Sequence, residues 1–167
     1  MKNYKNILFF ILITILVSCE KDDICLEENT PKLIIRFYDN ENPALFKNVS
    51  NLAIRIEGLE GFYVNEGIST TTDSIAVPLE VVKDFTKIEL ILNGADEDAD
   101  NDNSDFIDVN YNRTDEFISR SCGFKTIYNT VEFQLNPDTE EWIKIITPVE
   151  SPQNITNEKN RHVKIFH

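Results

Sequence analysis

Basic residues are scarce in this chain. Sixteen Lys+Arg stand against 29 Asp+Glu, for a formal net charge of -13. That balance excludes nucleic acid as a partner, because phosphates demand a basic footprint. Histidines number two and cysteines three. His162 and His167 are five apart, so in a strand they would face opposite sides and would not readily share a metal. The chain has no Gly-x-Ser-x-Gly elbow, no His-Glu-x-x-His and no Gly-rich phosphate loop. Paired carboxylates are too abundant to be diagnostic. No catalytic function is expected. Helical stripes are also lacking. No window longer than ten residues carries the 3.6-residue period, and the best short candidate is Leu79–Phe85. No internal repeat is present.

What the chain does have is a period of two. Leu33, Ile35 and Phe37 point one way, and Ile34, Arg36 and Tyr38 the other. Leu52, Ile54 and Ile56 alternate with Ala53, Arg55 and Glu57. Further runs are Ile75-Val77-Leu79, Ile88-Leu90-Leu92, Ile107-Val109-Tyr111, Val131-Phe133-Leu135 and Ile143-Ile145. A polar loop over 148–161 precedes a last alternating run, His162 to His167. Such short Ile/Val/Phe/Tyr-rich segments are strands with one buried face. Turn chemistry separates them at Asp39-Asn40-Glu41-Asn42-Pro43, Glu57-Gly58, Glu60-Gly61 and Asn136-Pro137-Asp138. Eight or nine strands predict an all-β domain over 32–167. Two antiparallel sheets packed face to face, immunoglobulin-like or transthyretin-like, are expected. A closed β-barrel is the alternative. The final run is expected to add an ordered strand to a sheet.

Two constellations suggest binding. Asp96, Asp98, Asp100 and Asp102 alternate through an acidic loop, as in the front half of an oxygen-ligand calcium site. Asn101 stands where the tight turn prefers Gly, and Ile107 where a bidentate Glu belongs. The competing reading is a solvated hairpin loop, and it is preferred. No other cofactor is expected. Trp142, Tyr38, Tyr63, Tyr111 and Tyr128 are amphipathic and could line a sugar or peptide platform. Core packing competes with that reading, and is preferred for Trp142.

The N-terminus carries the strongest signal. Lys2 and Lys5 precede a run from Ile7 to Val17 that is apolar apart from Thr14. The run is about half of the ~20 residues that span a bilayer. It therefore reads as a secretory signal over 1–18. Leu16-Val17-Ser18-Cys19 resembles a bacterial lipobox, which implies lipid on the Cys19 sulfur and cleavage just before it. Cleavage would leave 149 residues, with 14 Lys+Arg against 29 Asp+Glu and a net charge of -15. Residues 19–31 then form a polar, lipidated tether. With Cys19 lipidated, Cys25 and Cys122 remain to pair in an oxidising compartment. Their bridge would close about a hundred residues, for roughly 4–5 kcal/mol in the chain-entropy model. Two separate thiols are the alternative. A bridge would hold the domain within roughly 20 Å of the lipid, at ~3.3–3.6 Å per residue.

The chain resembles a family of small Bacteroidota lipoproteins of unknown function, the flavobacterial group in particular. The likeness rests on Cys25 followed by Pro31-Lys32-Leu33-Ile34-Ile35-Arg36-Phe37-Tyr38-Asp39, on Ser119-Arg120-Ser121-Cys122-Gly123-Phe124, and on His162-Val163-Lys164-Ile165-Phe166-His167. The resemblance implies no activity. Cys19-Glu20-Lys21-Asp22-Asp23 is similar to the Lys-then-acidic signal that sends some Bacteroidota lipoproteins to the cell surface. A periplasm-facing position on the outer membrane is the alternative. The expected function is a non-catalytic binding or structural module of the cell envelope, with the membrane and an envelope protein as partners. A ligand-binding lipoprotein, with a small pocket or a calcium-stabilised loop, is the second reading.

Overall fold

The computed structural model describes residues 30–61, 71–96, 99–136 and 139–167. Its strands are β1 (Leu33–Tyr38), β2 (Ala53–Ile56), β3 (Ser74–Val77), β4 (Phe85–Leu92), β5 (Asn103–Ser119), β6 (Gly123–Asn136), β7 (Ile145–Pro148), β8 (Gln153–Ile155) and β9 (Val163–Phe166). A single 3-10 turn, Ala99–Asn101, is the only helical element among the described residues. One sheet runs β3-β1-β9-β7 and the other β2-β4-β5-β6-β8. Each sheet keeps two open edges, so the architecture is a β-sandwich and not a closed barrel.

The core forms because each strand offers alternate apolar residues to the space between the sheets. Leu33, Ile35 and Phe37 meet Val163 and Ile165 on one side, and Ile54, Ile88, Leu90, Ile107 and Val109 complete the cluster. The buried polar groups stitch the layers together. The Tyr128 hydroxyl donates to the Leu79 carbonyl at 3.2 Å, and the Tyr111 hydroxyl to that of Glu80 at 2.9 Å. The Trp142 indole donates to the Leu90 carbonyl at 3.3 Å. A buried donor without a partner would be costly, so these bonds fix how the loops lie over the sheets.

Two expectations need correction, and the weak helical candidate is resolved. The sheets are not both antiparallel, because β9 runs parallel to β1 with Ile35 opposite Val163 and Phe37 opposite Ile165. Alternation has the same period in either direction, so the pattern could not reveal it. The Leu79–Phe85 stretch is not helical, in keeping with the lack of helical stripes in the sequence. Its backbone is taken by strand side chains instead: Glu80 donates its N–H to Thr86 Oγ1 at 2.8 Å and accepts from Tyr111. Ala53, expected to face outward, is buried, as is Ile91 beside it. Gly94 folds back over both, so close that a Cβ there would meet Ile91 Cγ2 at 2.5 Å and Ala53 Cβ at 3.1 Å.

The last five residues are therefore structural. Ile165 is fully buried in the middle of its sheet, between β1 and β7. Ile165→Ala should cost about 2–5 kcal/mol by transfer and cavity terms. Denaturant midpoints would measure it, and a cost well under about 1 kcal/mol would mean that the site collapses freely.

Candidate functional site

One end of the sandwich gathers the features that bear on function. Thr30 and Pro31, the last residues assigned to the tether, already lie against the domain. The Thr126 N–H donates to Thr30 Oγ1 at 3.0 Å, and Pro31 is buried. The Lys32 N–H donates to Glu158 Oε1 at 2.8 Å. The chain thus comes in alongside β6.

Beside it stands the hairpin of β5 and β6. The partner strand β4 reaches only Asn110, and β8 only Tyr128. Beyond those residues the two strands continue without a further strand beside them, from Thr114 opposite Ile127 to Ser119 opposite Gly123. The turn closes with Gly123 at φ +73°, a conformation glycine adopts without a Cβ clash. Ser119 Oγ accepts the Cys122 N–H at 3.1 Å within the turn. Next to it, Phe117 and Phe124 face each other edge to face, with centroids 5.3 Å apart. They are 58% and 67% exposed. Arg113 braces the base of the ribbon, donating from Nε to Asp84 Oδ1 at 2.7 Å and from Nη1 to the Val81 carbonyl.

The structure places the sequence-predicted residues as follows. Cys122 sits in the hairpin turn, while Cys19 and Cys25 lie outside the described residues. Asp96, Asp100 and Asp102 are exposed in the β4–β5 connection at the opposite end of the sandwich, and Asp98 lies outside the described residues. Asp96 Oδ2 accepts from Asn51 Nδ2 at 3.1 Å. Among the described residues no group of three or more His, Cys, Asp or Glu is arranged to hold a metal.

The aromatic platform is overturned for four of its five members. Tyr38, Tyr111, Tyr128 and Trp142 are all buried, and Tyr63 lies outside the described residues. Burial raises the Tyr111 and Tyr128 phenols above their ordinary range, so both remain protonated donors. The aromatics that do reach the surface at the tip are Phe117 and Phe124. Their symmetric placement about the Ser119–Gly123 turn was the signal that could have shown them as a facing pair.

The two histidines mark opposite ends of β9. His162 Nδ1 accepts the Ile34 N–H at 2.9 Å, and its Nε2 lies 2.9 Å from the Asn157 carbonyl. The ring is thereby held as the neutral tautomer with its proton on Nε2. His167 packs edge-on against Phe37 and Trp142. Burial pushes both pKa values down. Both ring nitrogens of His162 are thus engaged by backbone groups, while His167 Nε2 lies 3.5 Å from the Lys47 carbonyl.

The described clefts are open. One of about 250 Å³ lies by His162, lined by Glu150, Gln153, Asn154, Asn157 and Arg161. Gln153 Oε1 there accepts the Val149 and Glu150 N–H groups, so it serves the loop. A shallow groove of about 550 Å³ runs between Thr130–Phe133 and Pro148–Gln153. A third of about 280 Å³ is framed by Arg55, Lys87, Glu89 and Phe106.

Residues 51–167 match DUF6452, a family of unknown function. The chain belongs to that family. No curated protein and no solved structure matches it significantly. The DUF6452 match spans β2 to β9, and so includes the hairpin tip, both histidines and the inserted C-terminal strand.

The lowered histidine pKa values fix a sign. A folded-state pKa below the unfolded value of about 6.5 means that the neutral ring is favoured by folding. Stability from these groups is complete above about pH 6.5 and is lost as pH falls through the folded pKa. NMR titration of His162 should show a midpoint below about 6.5, and the melting temperature should decline below that pH. A raised midpoint would contradict the acceptor role of Nδ1.

Proposed function

We propose that this member of the DUF6452 family is a non-catalytic binding or structural module of the cell envelope, anchored at the outer membrane through lipid on Cys19. The observation that carries this reading is how its reactive side chains are used. Both histidines and the buried phenols are spent on backbone hydrogen bonds and core packing. The described clefts are open grooves, not chambers, and the apolar groups that remain on offer are on the surface. That favours surface contact over ligand enclosure.

Several further features support the anchor. The N-terminal run is too short to span and ends on the lipobox-like Cys19. Thr30 docks on Thr126, four residues from Cys122, while Cys25 is five residues before Thr30. Both stretches reach roughly 13–18 Å at full extension, so a Cys25–Cys122 bridge is within reach. The bridge would fasten the tether to the hairpin turn. The acidic surface keeps a tethered domain soluble. The Lys21-Asp22-Asp23 tether supports display on the outer face of the membrane.

Detergent partitioning and protease shaving of intact cells test the reading together. The wild-type chain should enter the detergent phase, and Cys19→Ser should stay in the aqueous phase or stall as precursor. Added protease should digest the wild type on intact cells. Digestion only after rupture of the outer membrane would place the domain on the periplasmic side. Aqueous partitioning of the wild type would refute the anchor.

A further inference from the structure

The tip of the β5–β6 hairpin is out of character with the rest of the chain. Phe117–Lys125 contains Arg120 and Lys125 and no acidic residue, in a protein with 29 Asp+Glu. It displays the exposed Phe117–Phe124 pair, paired across the β5–β6 ribbon. Lys125 pairs with Glu116 on that ribbon at 3.4 Å, while Arg120 is exposed in the turn. Val81 and Val82, 47% and 72% exposed, sit on the loop that Arg113 ties to the ribbon base. A paired aromatic wedge flanked by basic side chains is the chemistry that settles at a bilayer interface, with rings among the acyl boundary and cations at the phosphates.

We infer that this tip rests in the bilayer that holds the tether, Phe117 and Phe124 seated at the headgroup level, as a second contact beside the lipid. The inference rests on the lipid-anchor reading above. Two observations commit the tip to that occupant. First, the described chain begins at Thr30, bonded to Thr126 two residues from Phe124. Only eleven steps separate Thr30 from Cys19, at most about 40 Å. Second, the densest acidic loop of the chain stands at the end away from the tip. The β4–β5 connection holds five acidic and no basic residues between 96 and 102. It opens at Asn103, the other end of β5 from Ser119. A strand of that length spans on the order of 50 Å at ~3.3 Å per residue. The acidic end therefore stands many Debye lengths of ~8 Å from anionic headgroups when the tip is down. The inverted pose would need an almost fully extended tether and would press the acidic end onto those headgroups.

The test uses the full-length lipoprotein reconstituted in vesicles of phosphatidylethanolamine and phosphatidylglycerol with brominated acyl chains. The native Trp142 is 6% exposed and deep in the domain, so its emission should be indifferent to bromine. Phe124→Trp, at a position 67% exposed, should gain an emission component quenched several-fold by brominated over plain lipid. Asp102→Trp, at the acidic end, should gain an unquenched one. Vesicle flotation is read alongside. Flotation without quenching in Phe124→Trp would overturn the inference while leaving the anchor intact. Equal quenching of both variants would overturn the orientation. A blue shift without bromine quenching would show a second copy covering the tip, which also overturns it. Failure of the wild type to float would remove the anchor reading itself.

Discussion

The insertion of β9 between β1 and β7 is the constraint on which the rest of the structure depends. The chain must run its whole length before its smaller sheet can close, because the middle position is filled by the last four strand residues. Val163 and Ile165 then lie beside Ile35 and Phe37 and extend the face that β1 presents to the core. At one end of the strand, the backbone N–H and carbonyl of Ile34 are taken by His162, from its ring and its main chain. At the other, His167 closes over Phe37 and Trp142, and its N–H reaches the Tyr38 carbonyl. A strand held at both ends and buried on its inner face is not a tail.

That closure gives the molecule two distinct ends. β1 and β9 run parallel, so the start of the domain and the start of its last strand lie together, near the loop that follows β3. The hairpin of β5 and β6 projects from the same end, tied to that loop through Tyr111, Tyr128 and Arg113. The acidic connection between β4 and β5 belongs to the other end, with the C-terminal carboxyl region. The proposed anchor, the aromatic tip and the acid-rich loop thus fall along one axis, set by strand direction alone.

The sequence made the inner faces of β1, β2, β4 and β5 plain, because one-sided burial imposes a period of two. It could not show strand direction, since parallel and antiparallel pairs share that period. How the Leu79–Phe85 loop lies was not legible, because its backbone is captured by Thr86 at the start of β4 and by Tyr111 from β5. Tyr38 was an outward residue by alternation and is nevertheless buried, since Phe46 and Phe166 cover its ring. Of the candidate site, the cysteine of the hairpin turn and the acidic loop were visible as residue types. The exposed phenylalanine pair was not, since a phenylalanine in an alternating run reads as core until the length of the neighbouring strands is known. Here β4 and β8 stop short, and that leaves the ribbon bare.

Native-state hydrogen exchange of the β1 and β9 amides tests the central role of the inserted strand most directly. Amides that open only with the whole domain exchange with the global unfolding free energy, while those in locally unfolding segments exchange with less. The ladder amides of Ile35, Phe37 and Ile165 should fall together in the slowest group and track global stability as denaturant is added. Exchange of β9 through a separate, lower-energy opening, with β1 and β3 still protected, would contradict it.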